Sequence, residues 1–237
     1  YKELQRKESN KFESISDLIW QAEANESLNR PKEAVTFYER AVKKMSVGDE
    51  RFAAISNRLA VLYENGNDYQ KQMKIYEDLY AQEQSPKFRQ QYALKAGLIG
   101  LDKLQNEKLA SEWLQRADSG GVDDTDLRAS MLLIDIDRKI KDLDSALNRL
   151  KDLEKRSVPP NSNYFWQVPF QLGVLHQNRK EWVASRTYLE QVANQQQHTA
   201  LAKDAQQLLR SVDSVIAKQE LQNLLNNENW KQVSKFV

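Results

Sequence analysis

Apolar residues recur along this chain at the spacing of amphipathic helices, and short polar turns separate the helices. The clearest case is residues 26–42, ESLNRPKEAVTFYERAV, where a turn around Pro31 precedes Ala34 and Tyr38 on one helical face. The same arrangement occurs five times: a first helix, a short turn, and a second helix with an anchor residue followed four residues later by a large one. The pattern therefore predicts five helical hairpins.

The predicted second helices repeat at a nearly constant distance. Their anchor residues are Ala34, Gln72, Ala110, Ala146 and Ser185, which are separated by 38, 38, 36 and 39 residues. Segments rich in Gly, Pro, Asp and Ser lie between the hairpins and break the helices. The predicted repeats are about 14–47, 50–84, 86–119, 123–157 and 161–197. A period of this kind indicates a helical repeat protein.

Both ends of the chain differ from the repeats. Residues 1–13 are strongly polar and are interpreted as an N-terminal helix or linker. Residues 198–237 are predicted to form a C-terminal capping helix and a partial repeat, because Leu201, Ala205 and Val212 recur at helical spacing and Trp230 follows a polar turn. A stack of repeats needs such a cap. Because the chain begins at Tyr1, we expect it to be a fragment or a processed product.

Composition agrees with an all-α fold and narrows the function. Gly (7) and Pro (5) are scarce, and the 35 basic and 34 acidic residues leave a net charge of +1. This balance gives no overall field that would attract nucleic acid. The chain has no cysteine, which excludes disulfides and thiolate chemistry. No apolar run reaches the roughly 18 residues that a transmembrane helix needs.

The repeated residues resemble those of the tetratricopeptide repeat, a helix–turn–helix unit. The first-helix signature is matched by Leu59-Ala60-x2-Tyr63 and Leu172-Gly173-x2-His176, and the second-helix signature by Ala34-x3-Tyr38, Ala110-x3-Leu114 and Ala146-x3-Leu150. The resemblance implies a right-handed α-solenoid of about five hairpins, in which the first helices line a concave face. The repeats here are longer than the period that is usual in this family. Gln72 replaces an alanine, and Gly97 lies one residue away from its expected distance to Ala110.

Few residues could carry catalytic chemistry. The two histidines, His176 and His198, lack metal-ligand spacing, and His176 is interpreted as a packing and hydrogen-bonding residue. The acidic segment 117–126, ADSGGVDDTD, does not follow the calcium-loop pattern. It is interpreted as a helix stop at Gly120 or Gly121 followed by an aspartate cap at Asp123 or Asp124. We therefore predict a protein that is not an enzyme and needs no cofactor or metal.

The resemblance implies which first-helix residues face a partner. Projecting the inner-face positions gives Asn57, Val61, Glu64, Lys95, Arg128, Met131, Asp135, Arg138, Gln167, Phe170 and Gln177 as candidate partner-binding residues. They are mixed in polarity and charge. Some members of this family hold a peptide's carboxyl terminus with a Lys/Asn clamp. The corresponding first-repeat positions here are Ile19 and Glu23, so the clamp is not reproduced.

Two functions remain open from the sequence. The first is a non-catalytic scaffold that binds a protein or peptide segment in its concave groove. Degenerate, Asn- and Gln-rich repeats of this kind resemble scaffolds of bacterial envelope assembly, in secretion, pilus formation, polysaccharide export or the cell wall. That resemblance favours a periplasmic or outer-membrane-associated location. The second is a peptide- or sugar-sensing regulatory domain of a larger signalling protein.

One segment, NYFWQVPFQLG at 163–173, is unusually aromatic. It is interpreted as a seam between repeats four and five, with a ligand pocket as the alternative. If the helix begins near Asn163, Pro169 lies beyond its first turn and should kink it. Phe170 and Gln167 are then expected to face the groove.

Overall fold

The computed structural model describes residues 13–195 and 199–226, and these residues form helices without strands. The helices are α1 (Ile15–Ser27), α2 (Pro31–Lys44), α3 (Phe52–Asn65), α4 (Tyr69–Gln82), α5 (Pro86–Leu98), α6 (Glu107–Ala117), α7 (Asp124–Lys139), α8 (Leu143–Lys155), α9 (Gln167–Asn178), α10 (Trp182–Ala193) and α11 (Ala200–Asn226). Consecutive helices pack as five hairpins, and α11 packs against α10. The predicted all-α fold of consecutive hairpins is confirmed.

The chain divides into two compact units, at Ser119 and Gly120. The first unit contains hairpins one to three, and the second contains hairpins four and five with α11. The predictions for residues 1–12, for His198 and for the partial repeat around Trp230 lie outside the described residues.

The five hairpin turns share one backbone conformation. In each turn a non-glycine residue has a positive φ, and these residues are Asn29, Asn67, Gln105, Lys141 and Lys180. Each stands five residues before the anchor of the second helix, so the turns and the anchors have the same period. The backbone N–H of the following residue donates a hydrogen bond to a carbonyl near the end of the first helix. In the second hairpin, for example, the Asp68 N–H donates to the Tyr63 carbonyl at 2.9 Å.

The anchors lie at the close contact between the two helices of each hairpin, and all five are buried. Three of them are alanines, which let two helices approach closely. The two polar anchors have hydrogen-bond partners: Ser185 donates to the carbonyl of Gly173 at 2.8 Å, and Gln72 donates to Glu64 at 3.3 Å. A longer polar side chain is therefore accommodated at the anchor without a lost hydrogen bond.

The third hairpin contains a local change of helix type that accounts for the displaced Gly97. A π-helical turn, Ile99–Lys103, follows α5. This wider turn holds one extra residue, so the interval from Gly97 to Ala110 is longer by one than the interval from Gly173 to Ser185. Both glycines still face the equivalent leucine of the second helix, four residues after the anchor. A Cβ on Gly97 would lie 2.8 Å from Leu114, and a Cβ on Gly173 would lie 2.8 Å from Leu189.

Helix α9 begins later than the sequence predicts. It starts at Gln167, and the prediction of a start near Asn163 is wrong. Pro169 is consequently the third residue of the helix, where the missing N–H has no intrahelical acceptor to lose. Because Pro169 lies in the first turn of α9, it is not expected to kink the helix.

Two sequence interpretations of local residues are confirmed. Asp123 caps α7 by accepting a hydrogen bond from the Asp126 N–H at 3.0 Å. Gly120 adopts a left-handed φ of 84°, but α6 has already ended at Ala117, so the predicted helix stop at Gly120 or Gly121 is wrong. His176 is buried, forms a hydrogen bond with Glu181 and stacks on Tyr188 with ring centroids 5.5 Å apart.

Candidate partner-binding surface

The first helices can be compared through one buried residue of each, which packs against its second helix. These first-helix anchors are Ala22, Ala60, Gly97, Ile134 and Gly173. In four hairpins the interval from the first-helix anchor to the second-helix anchor is the same, as from Ala22 to Ala34, and in the third hairpin it is longer by one position. Equivalent positions are counted from the first-helix anchors below.

A repeated contact joins neighbouring first helices. The residue four positions after one anchor meets the residue two positions before the next, as Glu26 pairs with Arg58. In the second unit, Arg138 donates to Gln171 at 2.7 Å in the same way. The partner-binding candidates Glu64, Lys95 and Arg138 all occupy these two positions. The repeat therefore places them at the joints between first helices.

The joint between hairpins one and two is a polar network in which Tyr38 is buried, Glu26 is half-buried and Arg58 is exposed. The Tyr38 hydroxyl donates to Glu26 at 2.6 Å, and Arg58 pairs with the same carboxylate. Burial, and then the hydrogen bond to Glu26, raise the pKa of Tyr38 above its ordinary range. The Glu26 carboxylate raises the pKa of Arg58. Both groups stay protonated at neutral pH, so the network is a fixed structural contact.

The next joint uses aromatic rings. The Lys95 ammonium lies 5.0 Å from the ring centroid of Tyr76 and 5.9 Å from that of Tyr92. Burial, and then the charge of Glu64, raise the pKa of Tyr76. Lys95 is nevertheless exposed. Its charge is thus held over two rings and remains accessible to an acidic group of a partner.

The other candidates of the first unit differ in their availability. Asn57 is half-buried, and its amide donates to the Ala53 carbonyl of its own helix at 2.7 Å. Val61 is 51% exposed. Trp20, which is not among the predicted partner-binding residues, is 70% exposed on α1 and stands at the position of Arg58 and Lys95. The sequence does carry a sign of this residue, because the equivalent position is basic in the two following repeats.

The candidates on α7 divide by burial. Arg128 and Asp135 are exposed, and Asp135 lies 3.6 Å from Arg138. Met131 is half-buried and packs against the core of hairpins four and five. Arg128 and Asp135 are therefore the α7 candidates with the greatest access to solvent.

The candidates on α9 are all half-buried. Phe170 packs against the hydrophobic cluster of α10 and α11, which includes Leu189 and Val212. Gln167 lines a cavity that is described below. Gln177 lies near the end of the helix. Truncating Phe170 would accordingly disturb packing as well as any surface that it forms.

Neither a metal centre nor a membrane-spanning helix is found within residues 13–195 and 199–226. In this part of the chain no three His, Cys, Asp or Glu residues are grouped so that they could hold an ion. No helix there is both long and apolar enough to cross a bilayer.

Known structures share this architecture. No family model matches the chain, and the search of curated proteins gives no significant match. YrrB, described as a TPR protein with an unusual peptide-binding site, is 20% identical with a TM-score of 0.52, over 86% of this chain and 97% of YrrB. BtubC (BKLC) from P. vanneervenii is 14% identical with a TM-score of 0.56, over 92% of each chain. The chain has the fold of tetratricopeptide-repeat proteins.

Proposed function

We propose that this protein is a non-catalytic scaffold that binds a segment of another protein on the faces of its first helices. The observation that carries the proposal is the exposure of Trp20 (70%) and Val61 (51%) on α1 and α3. Large apolar side chains at solvent-accessible positions are a common feature of interaction sites, and tryptophan contributes strongly to binding energy in interfaces.

The surrounding groups favour a protein segment as the ligand. Asn57 offers an amide oxygen beside Val61, and Lys95 offers an accessible positive charge. An amphipathic or extended segment with one or two apolar anchors and an acidic residue fits this combination. The peptide-binding site named for YrrB supports the same class of ligand, although the low identity carries only the fold. A place in bacterial envelope assembly stays a prediction.

Peptide display on the purified chain tests the proposal. Libraries of random peptides are selected on the immobilised protein, and the affinities of enriched peptides are measured by fluorescence anisotropy. We expect Trp20→Ala to weaken binding by about tenfold or more, as removal of a central aromatic contact does.

Two exposed valines provide a matched pair. Val61→Ser should weaken binding, whereas Val47→Ser, in the loop after α2 and 86% exposed, should leave it unchanged. The proposed surface would be refuted if the two substitutions had equal effects, or if Trp20→Ala left the affinity of the selected peptides unchanged.

A further inference from the structure

A large open cavity lies in the second unit, between the segment before α9 and the described residues Asn194, Gln195 and Thr199 that follow α10. Its volume is about 1120 Å³. The eleven residues that line it come from the segment 160–167 and from described residues of 194–201. Ligand sites in proteins typically have volumes of about 300–1,000 Å³, so the cavity could hold several linked rings.

Among the described residues that line this cavity, none has a charged side chain. Seven of the eleven residues are uncharged polar, two are aromatic and two are aliphatic. In the whole chain, by contrast, 29% of residues are charged. A charged ligand would lose water here without gaining an opposite charge. The cavity is therefore suited to a neutral polar ligand.

Side-chain amides dominate the polar lining, and their hydrogen-bonding capacity is free. The side chains of Asn161, Asn163, Gln167 and Asn194 form no hydrogen bond with any residue that the structure describes. The Nε2 atom of Gln195 is buried and has no partner there either. An amide both donates and accepts. The hydroxyl groups of a sugar do the same, so the two sets of groups are complementary.

The aromatic residues favour a sugar over a peptide. Tyr164 and Trp166 lie in the same wall as the amides. The negative faces of aromatic rings attract the slightly positive C–H groups on the faces of a sugar ring. A peptide would need apolar pockets for its side chains. The aliphatic lining consists of only Pro160 and Leu201.

We infer that this cavity is a binding site for a neutral oligosaccharide. The amides of Asn163, Gln167 and Asn194 bind its hydroxyl groups, and Tyr164 and Trp166 pack against its rings. The site does not depend on the proposed protein-binding surface of the first unit, and either can be refuted without the other.

Isothermal titration calorimetry with named sugars tests the site. Chitotetraose, cellotetraose, maltotetraose and mannotetraose are each titrated in a large excess over the protein, with tetragalacturonic acid as the charged comparison. We expect at least one neutral tetrasaccharide to bind with a Kd between about 10 μM and about 1 mM, and the acidic one not to bind. Asn163→Ala with Asn194→Ala should weaken this binding by about tenfold or more, because hydroxyl groups of the sugar lose partners.

Asn148→Ala is the matched control. Asn148 is an exposed amide on α8, outside the cavity, and its substitution should leave sugar binding unchanged. Asn163 and Asn194 are exposed as well, so circular dichroism should show the double variant to be folded. The inference is overturned if none of the four neutral sugars binds. It is also overturned if the double variant binds as the unmodified protein does, or if a neutral peptide (Gly-Ser-Asn-Ala)₂ binds and the sugars do not.

Discussion

The third and fifth hairpins reach the same interhelical contact by different backbones. In both, a glycine of the first helix faces a leucine of the second so closely that a Cβ would lie 2.8 Å away. The fifth hairpin has the common interval between its anchors, Gly173 and Ser185. The third has one residue more between Gly97 and Ala110, and it takes up this residue in a π-helical turn. The close contact between the two helices is therefore the same in both hairpins, and the first helix of the third hairpin changes its local winding to allow it.

The two turns also differ in how they close. In the fifth hairpin, the N–H of Glu181 bonds the carbonyl five residues earlier, at His176. In the third, the N–H of Asn106 reaches six residues back, to Gly100, at 2.9 Å. The residue before each donor has a left-handed φ in both hairpins. The added residue is thus accommodated inside the first helix, while the left-handed turn residue and the packing of the second helix are the same in both hairpins.

The largest expected effect is that of a charge at the anchor of the third hairpin. Ala110 is fully buried, and its Cα would lie 3.2 Å from a Cβ placed on Gly100. Ala110→Arg should lower the free energy of unfolding by about 4 kcal/mol or more, because an unpaired charge is forced into a close helix crossing. Urea denaturation measures this. Glu112→Arg, at an exposed site of the same helix, should change stability by less than about 0.5 kcal/mol.

Single-residue deletions should have different effects on stability in the third and fifth hairpins. Deleting the exposed Asp102 from the π-helical turn restores the interval of the other hairpins, so we expect the free energy of unfolding to change by less than about 1 kcal/mol. Deleting the exposed Asn178 makes the interval of the fifth hairpin too short and displaces the Gly173 contact, which should cost about 3 kcal/mol or more. Equal losses in the two deletions would show that the π-helical turn is required for the fold.

Alanine in place of each glycine tests whether the contact is equally tight. Gly97→Ala and Gly173→Ala should each destabilise by about 1–2 kcal/mol in urea denaturation, since overpacking outweighs the better helix propensity of alanine. Gly66→Ala is the control, because a Cβ there would meet only backbone carbonyls at 3.4 Å or more. A loss at Gly173 alone would show that the wider turn gives the third hairpin freedom to relax.

The smallest effect concerns pH. Arg179, and then His176, lower the pKa of Glu181, while Arg179 also pairs with Asp144. A lowered pKa adds stability above the unfolded value of about 4.3, and this stability is lost as pH falls through the folded pKa. Glu181→Asn introduces the residue type found at the equivalent Asn106, and should reduce the fall in Tm between about pH 6 and pH 3. Asn106→Ser should leave that fall unchanged, because no titrating group is altered.

Much of the fold could be predicted from the sequence, because helical hairpins are encoded locally. The anchors from Ala34 to Ser185 and the polar turns before them specify helices and their period. The start of α9 was misplaced, since the polar and aromatic residues 163–166 suit either a helix or a turn. Among the candidate site residues, five are exposed as a binding surface requires: Val61, Glu64, Lys95, Arg128 and Asp135. Phe170 was projected to a groove but packs against α10 and α11.

The sequence by itself determined the number of hairpins, their period and the identity of the anchors, because these depend on residues a few positions apart. Only the tertiary structure decided where the extra residue of the third hairpin goes. That residue could have entered the turn, the loop or the helix, and packing of Gly97 against Leu114 selects the helix. The exposure of Trp20 and the cavity beside Trp166, whose described lining is uncharged, are likewise tertiary properties, since each depends on residues distant in the chain.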